Sequence, residues 1–158
     1  MMRLGRRLVS AALLLALLTT VIYPGRAGAE PKSLRDQLVG TWILVSAVDV
    51  RKDGSKVNRW GAAPKGTFIL TSEGRYAQMI LRTDVRMFGA RNAASFGTFT
   101  VNERDKTIVT RVEASSNHNY NGTDRKRIIV SLTDDELIYL NPSTSSGTSV
   151  RAIWKRAH

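Results

Sequence analysis

The chain has 158 residues, with 24 Lys or Arg against 13 Asp or Glu, a net charge of +11, and no cysteine. That length suits one domain. The missing thiols exclude disulfide stapling, a lipidated N-terminal cysteine and any cysteine chemistry, so the core must hold the fold unaided.

Residues 1–29 read as a cleavable export signal. Arg3, Arg6 and Arg7 precede the uncharged run "LVSAALLLALLTTVIY", and Pro24, Gly25 and the small-residue stretch Ala27-Gly28-Ala29 follow it. Charge, short apolar run and A-x-A site in that order define a secretory signal. The apolar run is shorter than the roughly 20 residues of a spanning helix. Cleavage after Ala29 leaves residues 30–158, and the expected location is periplasmic or secreted. Residues 1–29 hold four arginines and no acid, so the remaining chain carries +7. For an exported protein, that charge points to weak contact with an anionic membrane surface rather than to nucleic acid.

The stretch "EPKSLRDQLVG" predicts one helical turn. Ser33 caps it with Asp36 three places on, and Leu34 and Leu38 share a face. After Gly40 the period changes to that of strands. "TWILVSAVDV" (41–50) is rich in β-formers, with Trp42, Leu44, Ser46, Val48 and Val50 as one alternate set. Residues 51–66 are polar, with a turn at Asp53-Gly54 and Pro64, and predict a loop. "TFILT" and "RYAQMILR" flank Ser72-Glu73-Gly74 as a hairpin. Residues 83–93 have no clean period and predict a loop or lid. "ASFGTFTV" and "TIVTRVEASS" form a second hairpin about "NERDK", and "RKRIIVSL" and "ELIYL" a third about Thr133-Asp134-Asp135. "TSVRAIWKR" (148–156) is the last strand. Within residues 124–127, "DRKR" is the chief basic cluster and reads as a solvated strand face.

Eight strands with hairpin connections and one short helical turn predict an all-β fold: an eight-stranded antiparallel up-and-down barrel. Pairing the first strand with the last removes exposed edges, and eight strands leave room for one small ligand.

Gly40-Thr41-Trp42, entering the first strand from a helical turn, resembles the G-x-W signature of lipocalins. That resemblance implies that Trp42 closes the barrel base and that an arginine near the end of the barrel packs against it, here Arg156. "LVGTWILVSA", "PKGTFILTSEGRYAQMILR", "FGTFTV" and "VEASSNHNYNGTDRKR" together resemble the bacterial lipocalin-like domain family in order and spacing, over residues 35–156. That family often has histidines where Thr110 and Arg111 stand here, and a tryptophan near Tyr120. The resemblance implies a fold and a cavity more than an activity.

Chemistry-bearing patterns are few. His118 and His158 have no metal-ligand spacing, and no nucleophilic triad or phosphate loop is present. No metal, cofactor or catalytic set is expected. On the third, fifth and sixth predicted strands, two face assignments compete. In one, the charged sets meet water and the aliphatic sets fill the barrel. In the other, Gln78, Arg82, Arg111 and Glu113 point inward as polar anchors, with Arg111 and Glu113 paired because buried charges need partners. Tyr76 and Tyr120 are aromatic candidates for the ligand, and Phe88 is the candidate cap at the entrance. The expected function is binding of a small apolar or amphipathic molecule in the barrel by a monomer, an arginine anchor suiting a carboxylate or phenolate. The alternatives are an isomerase or cyclase using Glu113 and Tyr76 as acid and base, and a binder of anionic lipid or polysaccharide.

Overall fold

The computed structural model describes residues 30–84, 92–142 and 148–158. Among the described residues the first element is the helical turn α1 (Leu34–Leu38), and nine strands follow: β1 (Gly40–Val50), β2 (Lys56–Val57), β3 (Lys65–Leu70), β4 (Arg75–Leu81), β5 (Ala93–Asn102), β6 (Thr107–Ser115), β7 (Asp124–Leu132), β8 (Glu136–Asn141) and β9 (Ser149–Arg156). A 3-10 turn at His118–Tyr120 lies between β6 and β7. Every pairing is antiparallel, and β1 also pairs with β9, so eight strands close into a barrel. The ninth, β2, is two residues long and pairs only with the end of β1. It lies inside the stretch expected to be wholly loop.

Ser33 caps α1, accepting from the Asp36 amide at 3.0 Å while its hydroxyl donates to the Asp36 carboxylate at 2.6 Å. The Glu103 carboxylate accepts from the Leu34 and Arg35 amides, which ties the turn to the β5–β6 hairpin. Leu38, fully buried, thereby plugs one end of the barrel.

That end is packed solid. Trp42, Phe68, Leu70, Phe99, Leu137 and Trp154 fill it from five strands. The Phe68 ring stands edge-on to Tyr76 at 6.3 Å and to Tyr139 at 6.1 Å, a geometry aromatic quadrupoles favour. Each such side chain contributes about 1.5–3 kcal/mol by leaving water.

Three bulges decide which side chains face inward. On β1 the register shifts between Leu44 and Ser46, so Ala47 and Asp49, not Ser46 and Val48, join Trp42 and Leu44 on the buried face. Further shifts fall at Phe96/Gly97 and Ile129/Ser131. Neither simple assignment of faces holds throughout. On β6 the aliphatic residues face inward, whereas on β4 Tyr76, Gln78 and Ile80 do and Ala77, Met79 and Leu81 face out. The outer wall consequently exposes Ile43, Ile69, Met79, Phe96 and Val130.

Arg111 and Glu113 do not form the expected inward pair. Both stand on the outer wall, 59% and 43% exposed. Arg111 pairs with Asp124 at 3.3 Å, and Glu113 accepts two bonds from Arg75 at 2.5 and 2.8 Å. Strand alternation forces this. Ile108, Thr110 and Val112 occupy the inner face of β6, so the odd-numbered neighbours must point out.

Candidate functional site

The other half of the barrel is hollow. A cavity of about 300 Å³ runs from the level of Tyr139 and Gln78 to the open end. It exists because Ala93, Ser95, Ser115 and Ala152 line it with small side chains, where rings from the neighbouring strands fill the closed half. Ile80, Val112 and Val150 supply apolar wall, and Trp60, Asn92, Asn117, Tyr120 and Asn141 complete the lining.

The polar floor is one connected network. Gln78 Nε2 donates to the Tyr139 hydroxyl at 2.6 Å. Arg127 donates from Nη2 to Gln78 Oε1 at 2.7 Å and from Nη1 to Thr110 Oγ1 at 2.6 Å. Thr110 in turn donates to the Arg125 carbonyl at 3.3 Å. The Arg127 guanidinium lies 5.6 Å from the centres of both the Phe68 and Tyr139 rings. Arg127 is 5% exposed, its Nε has no hydrogen-bond partner, and it forms no ion pair among the described residues.

Two more arginines line the cavity. Arg125, two residues before Arg127 and on the same face of β7, stacks on Tyr120 with its guanidinium 4.1 Å from the ring centre. Arg59 is ion-paired with Asp49, which is almost fully buried, and Thr148 bonds to both. No Asp or Glu lines the cavity among the described residues. No group of three or more metal-ligating side chains occurs among them either.

The expected site residues scatter. Gln78 and Tyr120 line the cavity. Tyr76 is buried below it in the packed half, its hydroxyl without a partner. Arg82 follows the end of β4 and pairs with Asp84 at 2.6 Å, beside a separate depression near Arg51 and Asn58. The Arg82 guanidinium holds the Asp84 carboxyl below its ordinary range. Arg111 and Glu113 are on the outer wall, and Phe88 lies outside the described residues. Glu113 and Tyr76 point to opposite sides of the barrel wall, so they do not form an acid–base pair. The Glu113 carboxyl is also held below its ordinary value by the hydrogen bonds from Arg75.

Arg125 and Arg127 line the cavity but are not among the site residues expected from the sequence. The "DRKR" cluster divides by alternation: Asp124 and Lys126 meet solvent, while Arg125 turns inward and Arg127 is buried. The available signal was Arg127 in the same alternate set as Ile129. It was masked because the opposite set, Lys126, Ile128 and Val130, is as apolar.

No family model and no curated protein matches the chain. Among solved structures it is similar to a redesigned β-barrel, at 15% identity over 80% of this chain and 100% of that one, with a TM-score of 0.47. It is also similar to a de novo designed fluorescence-activating β-barrel, at 13% identity over the same shares and a TM-score of 0.47.

Proposed function

We propose that this chain is an exported, lipocalin-like binding protein that holds one small apolar or amphipathic molecule in its cup. The observation that carries this reading is the division of one barrel into a packed half and an open half. A cavity of about 300 Å³ is larger than water filling requires and lies at the lower end of the range for small-molecule sites, about 300–1,000 Å³. Trp42, held under Arg156 at the closed end, is the arrangement that the lipocalin signature implies. The action is sequestration or transport rather than catalysis. Among the described residues the cavity lining offers no carboxylate or histidine to act as a general base, and Glu113 faces away from it.

The test is binding of a neutral apolar fluorophore, N-phenyl-1-naphthylamine, to the purified protein. Ser95 faces the cavity from β5, so Ser95→Trp fills the space. The wild type is expected to bind the dye and Ser95→Trp to lose it while keeping its β-sheet circular dichroism. Absence of binding by the wild type overturns the reading. Export is tested separately by sequencing the N-terminus of the protein from its own cells, where Glu30 is the expected first residue.

A further inference from the structure

We propose that the ligand of this cavity carries a carboxylate, or an anionic oxygen group of like geometry, that seats on Arg127. The inference rests on the cavity-binding reading and adds the chemistry of the ligand's head.

Three observations converge on it. The first is an uncompensated buried cation. Arg127 is almost fully enclosed, yet both of its hydrogen bonds go to neutral acceptors, Thr110 and Gln78. A buried charge is costly unless it is paired, and removing its partner is what makes burial expensive. The rings of Phe68 and Tyr139 offset part of that cost through their negative faces, but they do not neutralise the charge. Arg127 remains the only side chain in the floor network with a net charge.

The second is unused donor capacity. A guanidinium has five N–H groups in a planar fork that matches a carboxylate. Arg127 uses two nitrogens toward protein, and its Nε has no acceptor. Gln78 fixes the fork. Its amide nitrogen donates to Tyr139 and its oxygen accepts from Arg127, so the network has N–H donors to spare and no charged acceptor in the side chains that hold the guanidinium.

The third is the sign of the surrounding field. Arg125 faces the same cavity from two residues away, and no Asp or Glu lines it among the described residues. An entering anion therefore meets only positive charge, in a low-dielectric space where attraction is strong. The apolar wall of Ile80, Val112 and Val150 then suits the remainder of an amphipathic acid.

The test compares octanoate with methyl octanoate by isothermal titration calorimetry at neutral pH. It uses the intact wild type, Arg127→Met and Arg127→Lys. The wild type is expected to bind the acid about tenfold or more tightly than the ester, the worth of one charge-assisted contact. Arg127→Met is expected to bind both alike, and Arg127→Lys to fall between. The Nε–H resonance of Arg127 is expected to shift with octanoate and to stay in place with the ester, a readout that needs no variant. Equal affinities in the wild type, or an acid preference that survives in Arg127→Met, overturn the inference. Binding of the neutral fluorophore without octanoate overturns this inference and leaves the cavity reading standing. Failure of the fluorophore and both octanoyl probes overturns the two together.

Discussion

The guanidinium of Arg156 lies 4.1 Å from the centre of the Trp42 ring, and its N–H groups donate to three backbone carbonyls. Those carbonyls belong to Asp134, Val39 at 2.9 Å and Gln37 at 2.6 Å. One side chain thus fastens the end of α1, the β7–β8 turn and the Trp42 ring together. Trp42 itself donates from its indole nitrogen to the Leu38 carbonyl at 2.9 Å. Arg156→Ala is expected to cost about 2–4 kcal/mol, since hydrogen bonds from charged groups contribute about 1.5–3 kcal/mol each and part is regained through water. Arg156→Lys should recover less than half, because an ammonium cannot reach three divergent carbonyls or stack on a ring. Urea denaturation of the three proteins checks both values.

Gly40 belongs to the same assembly. A Cβ there would sit 2.6 Å from Arg156 Nη1, and its φ of +139° is one that L-residues rarely adopt. Gly40→Ala is expected to destabilise by about 1–3 kcal/mol. Part of that loss should vanish in an Arg156→Ala background, where the steric conflict is gone and only the backbone strain remains. A double-mutant cycle by urea denaturation reads the difference.

Gly97 sits at the β5 bulge, where an added Cβ would lie 2.0 Å from the Arg111 carbonyl oxygen. Backbone cannot yield as a flexible side chain does. Gly97→Ala is therefore expected to cost more than about 3 kcal/mol, beyond the usual range for a surface change. The drop in thermal midpoint measures it.

Arg127 gives a prediction of the opposite sign. With no ligand present, Arg127→Met removes an unpaired buried charge and leaves a side chain of similar reach. Buried ionic groups replaced by well-packed apolar ones are often neutral or stabilising, by about 1–4 kcal/mol. The unliganded variant is expected to melt no lower than the wild type. Adding octanoate should then raise the wild-type midpoint by mass action and raise that of the variant less, by as much as methyl octanoate does. Differential scanning calorimetry reads both.

The acid limb of stability should report the outer-wall pair. Arg75 holds the Glu113 carboxyl below its ordinary value of 4.5. A folded-state pKa below the unfolded one stabilises the fold at higher pH, and the gain is lost as the pH falls through the folded value. Glu73, bonded by the Ser72 and Thr71 hydroxyls and lowered to about 2, acts over a wider acid window, from about 4.5 down to about 2. Glu113→Gln is expected to be less stable than the wild type at neutral pH, with the gap closing in acid and shrinking in salt because the pair is exposed. Stability measured against pH at two ionic strengths checks this.

Strand order and hairpin positions were legible in the sequence because alternation and Gly-containing turns are local signals. Ser72-Glu73-Gly74 and Thr133-Asp134-Asp135 stand at the turns they predict. The direction of each face was less legible, since it depends on where the register slips. Val45 is one such point: a single extra residue there moves Asp49 inward and lets it meet Arg59. Alternation alone puts Asp49 on the other side. The candidate site suffered most from this. Gln78 belongs to a set with Tyr76 and Ile80 that reads equally well in either direction. Arg127 hides in a basic run whose neighbours do meet water. Its burial is set by Thr110, Gln78 and Tyr139, contributed by three other strands, and no window along the chain contains all four.

The seam between β1 and β9 has a consequence for how the molecule comes into being. Val39 and Arg156, bonded across it, are 117 residues apart in sequence. The earliest strand to be synthesised therefore waits for the last before the ring can shut, and contacts so remote slow folding. A nascent chain ending before Ser149 would present β1 and β8 as two bare ladders of hydrogen-bonding groups, ready to recruit strands from other copies. Truncations within the final eight-residue strand should accordingly yield aggregates rather than a looser cup.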